Sequence, residues 1–427
     1  MGGKGGAAKI GIVTGASLAW NPRALKEARA LASAGFNVVV YGSSSDQSGF
    51  ERDNALASRH GFTFRCVFPT WSGSPEVRLR RILEKTRNRA SRSLFRLTGM
   101  ESRWQLGPLV AELFRQASAA SADYYIVHLE QAAWAGTRLL RQGVRVGVDV
   151  EDWYSEDLLP EAKRSRPARL LRELEGTLLR QGSHATCPSY EMSEALARAY
   201  RCPPPAVVYN AFPWSDRNSL DGAAKDRKGS PIPSVHWFSQ TMGPGRGLED
   251  LLSALQFVKY DIEIHLRGTP VSAFDAWLSK NVPAGWRNKI FLHNVVPNED
   301  LLSRISEHDI GFAGEMQYCR NKDLTVSNKM LHYLLGGLAV VASDTTGQRE
   351  VAERATGAVF LYQPGDPQDL ATHLNRLLGS KEGLARAKNA ALKIAQMTYC
   401  WERQEKVLLD VVTRALGEPR GRQAEAG

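Results

Sequence analysis

The chain has 427 residues, a net charge of +10 and 43% hydrophobic residues, enough for two or three domains with their own cores. No apolar run approaches the ~20 residues that span a bilayer. The charge favours polyanionic company such as nucleic acid, acidic lipid or phosphorylated small molecules, and no nucleic-acid motif with interleaved aromatics accompanies it. Cys66, Cys187, Cys202, Cys319 and Cys400 are scattered and form no CxxC pair, so neither a disulfide framework nor a zinc site is indicated. The opening MGGKGGAAKIGIVTGAS carries no signal-peptide h-region. The expectation is a cytoplasmic protein.

In chain order, Lys9 to Thr14 reads as a strand, Asn21-Pro22-Arg23 starts a helix to Ala34, and Asn37 to Tyr41 is a second strand. Strand, helix and strand in about thirty residues make a βαβ unit of a parallel sheet. The glycines after the first strand do not form GxGxxG, so the dinucleotide fingerprint is absent. Gly61 to Phe68 reads as a third strand. The stretch from Arg78 to Arg103 holds nine basic residues against Glu84 and Glu101, with Leu79, Ile82, Leu83, Leu94, Phe95 and Leu97 interleaved. It reads either as a solvated helix pair covering a sheet or as an interfacial helix on an anionic membrane.

Tyr124 to Val127 is a strand ending at His128-Leu129-Glu130, and Val144 to Val148 one ending at Asp149-Val150-Glu151-Asp152. Ligands of open α/β sheets gather at such carboxyl ends. Ala206 to Tyr209 closes the first half. Residues 215–233 are polar and rich in Gly and Pro, as a linker is. The pattern then restarts with strands at Ser234–Phe238, Ile262–Arg267, Ile290–Leu292, Ile310–Ala313, Leu338–Ala342 and Val359–Leu361, helices between them, and a helix near Thr398 to Leu416. The expected fold class is α/β, with two Rossmann-like parallel-sheet domains facing across a cleft. The boundaries are 1–214, linker 215–233, 234–395, a returning helix 396–416 and a tail 417–427 without structure.

Three clusters of the second half suit a phosphate-bearing ligand. Gly243 to Gly247 is a glycine-rich turn containing Gly245 and Arg246 at a helix start. Thr325, Ser327, Asn328 and Lys329 precede a second helix, and Thr345 to Gln348, with Gly347, opens a third. Helix N-termini receive anions, and charge-assisted bonds from Arg246 and Lys329 are worth about 1.5–3 kcal/mol each.

The segments WFSQTMGPGRGLEDLLSAL and SNKMLHYLLGGLAVVASDTTGQREV resemble the donor-binding signatures of the retaining glycosyltransferases of family four (glycosyl transferases group 1), of GT-B architecture. VVYNAF, VHLE and VDVEDWYSED resemble the family's hinge strand and acceptor-domain cleft residues. The resemblance implies a retaining, metal-independent transfer of a sugar from a nucleotide-diphosphate donor, UDP- or GDP-linked. It implies no cofactor and no metal. The acceptor would be a glycan or lipid-linked glycan precursor of cell-surface polysaccharide synthesis. Arg246, Gly245, Lys329, Thr325, Ser327, Asn328, His332, Gly347, Gln348 and Glu350 would bind the donor. Glu350 would orient the last phosphate loop. Glu130, Asp149, Glu151 and Asp152 would lie on the acceptor side, and His128 near the transferred sugar. The chain departs from the family at its pair of glutamates, where Leu324 and His332 stand; Glu315 and Asp323 are the replacement candidates for the first. Peripheral attachment to the inner face of a membrane through residues 78–103 is a separate expectation. Three alternatives remain: a catalytically degenerate binding or scaffold protein, a nucleotide-sugar epimerase of the same architecture, and a metal-dependent transferase reading Asp149-Val150-Glu151 as a DxD-like site.

Overall fold

The computed structural model describes residues 7–69, 71–163 and 165–417, and the expected tail lies almost wholly outside them. The chain divides into two compact units. The first holds residues up to Pro188, Met192–Val208 and the chain from Glu405; the second holds Ser189–Glu191 and Tyr209–Gln404.

The strands of the first unit are β1 (Lys9–Val13), β2 (Asn37–Gly42), β3 (Thr63–Cys66), β4 (Tyr124–His128), β5 (Val146–Asp149), β6 (His184–Cys187) and β7 (Ala206–Val207). They form one parallel sheet in the order β3-β2-β1-β4-β5-β6-β7. Ile10, Ile12, Val38, Val40, Tyr124 and Ile126 are buried, as helices on both faces of a parallel sheet require. The order reverses between β1 and β4, the position at which sheets of this kind generally receive ligands.

The second unit repeats the plan. β8 (Ser234–Met242), β9 (Glu263–Pro270), β10 (Ile290–His293), β11 (Ile310–Ala313), β12 (Ala339–Ser343) and β13 (Val359–Tyr362) form a parallel sheet in the order β10-β9-β8-β11-β12-β13. Its reversal falls between β8 and β11. The core centres on Trp237, Ile264, Leu266, Phe312 and Val341.

Several local expectations change. The basic stretch forms one helix, Pro75–Thr98, of 24 residues, not a helix pair. Ser74 Oγ accepts the Val77 amide at its start, and Gly99, at φ 70°, ends it. Asn321 to Leu324 lie in a short helix, Arg320–Leu324, ahead of the predicted one. The last helix is Trp401–Gly417, and Arg145 donates to the Leu416 carbonyl at 2.7 Å within the first unit. Residues 215–233 belong to the second unit. Arg227 binds them there through Glu263 (3.1 Å), Asp309 (3.1 Å) and Ser234 Oγ (2.6 Å).

Candidate active site

In the second unit, polar residues collect at the carboxyl end of β11. The helix Asn328–Gly336 begins at Ser327 and ends at Gly337, whose left-handed backbone suits glycine. Ser327 caps by position, but its hydroxyl donates to Glu315 Oε1 at 2.9 Å and not back to the helix. Lys329 Nζ donates to the same oxygen at 2.6 Å, and the Glu315 amide donates to Ser343 Oγ at 2.7 Å. Burial works against the charge of Glu315, but Lys329 outweighs it and holds the carboxyl below the usual range. Glu315, Ser327 and Lys329 are therefore one assembled group.

The glycine-rich turn lies against this group. Gly247 stands at φ 78°, and a Cβ there would meet the Gly314 carbonyl oxygen at 2.7 Å, so only glycine fits. Gly245 donates its amide to Glu249 at 2.6 Å, and Arg246, exposed, donates to Ser239 Oγ at 3.2 Å. Gly347 approaches the 324–325 backbone as tightly, since a Cβ would meet the Leu324 carbonyl oxygen at 2.5 Å. Gln348 is fully buried and donates to the carbonyls of Ser343 and Ala313, a structural use.

Other residues named from sequence serve the frame. Asp323 accepts from the Thr346 amide (3.1 Å) and hydroxyl (2.8 Å), so it caps the helix Thr346–Arg354. Thr325 Oγ1 donates to the Asn321 carbonyl, and Asn328 Oδ1 accepts from Asn210 at 3.0 Å. Glu350 accepts from the Tyr209 hydroxyl at 2.6 Å and from the amides of Tyr190 and Glu191, all in the second unit. It orients that segment, where the phosphate loop was expected. Leu324 is buried, and Ser189 Oγ donates to its carbonyl. His332 stacks on Phe212 and meets Phe238 edge-on, so an aromatic shelf stands where the family's second glutamate would be.

In the first unit, His128 is fully buried at the end of β4. Its Nδ1 faces Glu151 at 2.7 Å and its Nε2 faces Glu27 at 3.0 Å. Burial disfavours the imidazolium, but the two carboxylates outweigh it and raise the pKa well above the ordinary value. Asn21 donates to Glu151 at 2.7 Å, and Arg23 binds Asp149 at 2.5 Å and the Val208 carbonyl at 2.7 Å. Asp149 is pulled down to about 2 despite its burial, because Arg23 lies beside it. Burial pushes Glu27 up to about 7. Glu130 is paired with Arg166. Asp152 lies half-buried in the turn after β5.

The sequence reading took Asn21 and Arg23 only as a helix start and passed over Glu27. The helix Pro22–Ser33 reads as ordinary, yet Arg23 and Glu27 lie four residues apart and share its buried face. Leu129, next to His128, adopts φ 67°, a left-handed conformation that costs a leucine on the order of 1–3 kcal/mol. Glu27, His128 and Asp149 bring one ligand atom each within 4.8 Å, the single such group among the described residues. Arg23 already supplies a cation to Asp149, and Glu151 is spent on His128 and Asn21. Asp149 and Glu151 are thus both engaged in an ion-pair and hydrogen-bond network.

Residues 23–213 match the model for glycosyltransferase family 4, and residues 234–380 that for glycosyl transferases group 1. The chain belongs to this family of GT-B glycosyltransferases. No curated protein matches it by sequence. Among solved structures it is similar to Anabaena Alr3699/HepE in complex with UDP, at TM-score 0.68 and 16% identity over 95% of this chain and 99% of that one. It is also similar to sucrose-phosphate synthase from Thermosynechococcus elongatus (0.67, 14%, 95% and 98%) and to WaaG, a glycosyltransferase involved in lipopolysaccharide biosynthesis (0.61, 12%, 94% and 99%). At these identities the likeness is one of fold.

Proposed function

We propose that the protein is a retaining, metal-independent transferase that moves a sugar from a UDP- or GDP-linked donor to a glycan or lipid-linked glycan acceptor. The observation that carries this reading is the assembly of Lys329, Ser327 and Glu315 at the carboxyl end of β11, with the Arg246 turn packed on Gly314. Lys329 and Arg246 bind the donor diphosphate and stabilise it as it leaves. Glu315 holds Lys329 in place. Attack comes on the face the diphosphate leaves, and the departing phosphate takes the acceptor proton, so neither a metal nor a second carboxylate is needed. His332 and its aromatic neighbours replace the carboxylate that would otherwise bind the ribose.

Work at the inner face of a membrane is part of this proposal. Among the described residues no helix is long and apolar enough to cross one. The helix Pro75–Thr98 buries only Glu84 and Ser91 and exposes Leu79, Ile82, Leu83, Leu94 and Leu97. Arg81, Lys85, Arg89 and Arg96 make no ion pair among the described residues. A cationic helix with exposed apolar residues fits an anionic lipid surface, at roughly 1 kcal/mol per basic residue. Sedimentation with vesicles containing phosphatidylglycerol, and not with phosphatidylcholine alone, is the expected result.

The experiment for the reaction incubates the protein with a panel of UDP- and GDP-sugars, with and without EDTA. Turnover indifferent to EDTA, with the anomeric configuration kept, supports the proposal. Failure to turn over any donor, together with no thermal shift by UDP or GDP, contradicts it.

A further inference from the structure

A pocket of about 440 Å³ opens in the second unit, within the ~300–1,000 Å³ range of small-molecule sites. Its walls are the connections that lead into β9 and β10, residues 258–261 and 284–289. The sheet is parallel, so the pocket lies at the amino ends of these strands. Arg246, Glu315 and Lys329 follow carboxyl ends, on the opposite edge. The eight residues of β9, at about 3.3 Å each, put roughly 25 Å between the two edges.

Both walls are pinned by the protein itself. The Lys259 amide donates to Asn375 Oδ1 at 2.8 Å, and Asn375 Nδ2 donates back to the Phe257 carbonyl at 3.0 Å. Opposite, the Trp286 amide closes a turn on the Pro283 carbonyl at 3.2 Å, with Gly285 at φ 83°. Lys289 joins the walls: its Nζ donates to Asp261 Oδ1 at 2.6 Å and lies 5.1 Å from the centroid of the Trp286 ring. Among the described residues Asp261 is the one acidic lining group, and Lys289 occupies it, while Lys259 makes no ion pair. The pocket therefore keeps one uncommitted positive charge. The amides of Tyr260, Asp261, Ala284 and Gly285 donate to no protein acceptor among the described residues, so the lining is rich in donors. Tyr260, 44% exposed, and Trp286 add aromatic surface.

A neutral sugar would leave Lys259 unpaired, and a bare phosphate would leave the aromatic surface unused. One spare cation matches the single charge of a carboxylate better than a phosphate dianion. We infer that this pocket binds a uronate unit of an acidic glycan. The carboxylate meets Lys259 and the free amides, and the apolar face of the sugar ring lies on Tyr260 and Trp286. On the transferase reading above, the glycan is thereby held at the far edge of the sheet from the site of transfer, so it stays bound between additions.

The test is titration calorimetry of the full chain with trigalacturonate, its neutral counterpart galactotriose and inorganic phosphate, each under saturating UDP. Trigalacturonate is expected to bind at least tenfold tighter than either of the others. Lys259→Glu should weaken it at least tenfold and Tyr260→Ala severalfold. Lys393→Glu, which changes an exposed cation elsewhere in the same unit, should leave it unchanged. Both pocket variants should keep the thermal shift by UDP. A missing UDP shift in the wild type counts against the donor reading alone, because trigalacturonate binding is read separately. No binding of trigalacturonate, or binding no tighter than that of galactotriose, overturns the inference. So does phosphate bound as tightly as trigalacturonate, which would mean a plain anion site. An equal loss with Lys393→Glu also overturns it, because general charge attraction would then explain the binding.

Discussion

Lys329 Nζ lies 2.6 Å from Glu315 Oε1, so the ammonium proposed to meet a diphosphate has a carboxylate partner of its own. The two charges are only partly exposed, at 15% and 26%, so the pair is weakly screened. On the proposed function, a bound diphosphate and Glu315 would share one cation.

That sharing sets opposite expectations for the two partners. Lys329→Ala should weaken UDP binding by about 1.5–3 kcal/mol, roughly ten- to a hundredfold. Glu315→Gln removes the competing charge and should tighten UDP severalfold while lowering turnover. Calorimetry with UDP checks both, and equal weakening by the two variants would contradict the arrangement.

The His128 network makes stability depend on pH. Glu27 titrates near 7, above its ordinary 4.5, and His128 well above its ordinary 6.5. Both bind more protons folded than unfolded. Their stabilisation is complete below about pH 4.5 for Glu27 and about pH 6.5 for His128, and it is lost as pH rises through the folded values. Asp149, pulled down, acts only below pH 4. The melting temperature should fall from pH 5 to pH 8, and more shallowly in Glu27→Gln. An unchanged slope in that variant would show that the network does not titrate.

The strained turn at Leu129 offers a separate check. Leu129→Gly should raise stability by about 1 kcal/mol, because glycine adopts φ 67° freely. Turnover should drop as His128 loses its fixed mount. Thermal melts and initial rates read the two effects, and a loss of stability would refute the strain argument.

Close approach fixes Gly247. An alanine there meets the backbone oxygen of Gly314, which cannot yield as a side-chain end could. Gly247→Ala should cost about 1–3 kcal/mol and weaken UDP binding, because the Arg246 turn must lift away. An unaltered melting curve would contradict this.

Much of the second unit was legible because its signals are local. Ser327 and Gly337 bracket one helix, and Ala339 to Ala342 run apolar as a doubly covered strand must. The first unit's network was half legible. His128, Asp149 and Glu151 stand at strand ends, but Glu27 lies 101 residues from His128, and no local pattern announces that pairing. Residues 215–233 read as a linker by composition, yet Arg227 ties them to Glu263 and Asp309, 36 and 82 residues on. Asp323 and Glu315 read alike as spare carboxylates. Only their partners, Thr346 for one and Lys329 for the other, separate a helix cap from a member of the proposed donor site.

The most direct measurement is turnover of a panel of UDP- and GDP-sugars by the wild-type protein and by Arg246→Ala with Lys329→Ala, in EDTA. At least one donor should be consumed by the wild type with its anomeric configuration kept, and the double variant should lose that turnover at least a hundredfold. Wild-type turnover that requires a divalent metal, or a double variant as active as the wild type, would contradict a diphosphate site built on Arg246 and Lys329.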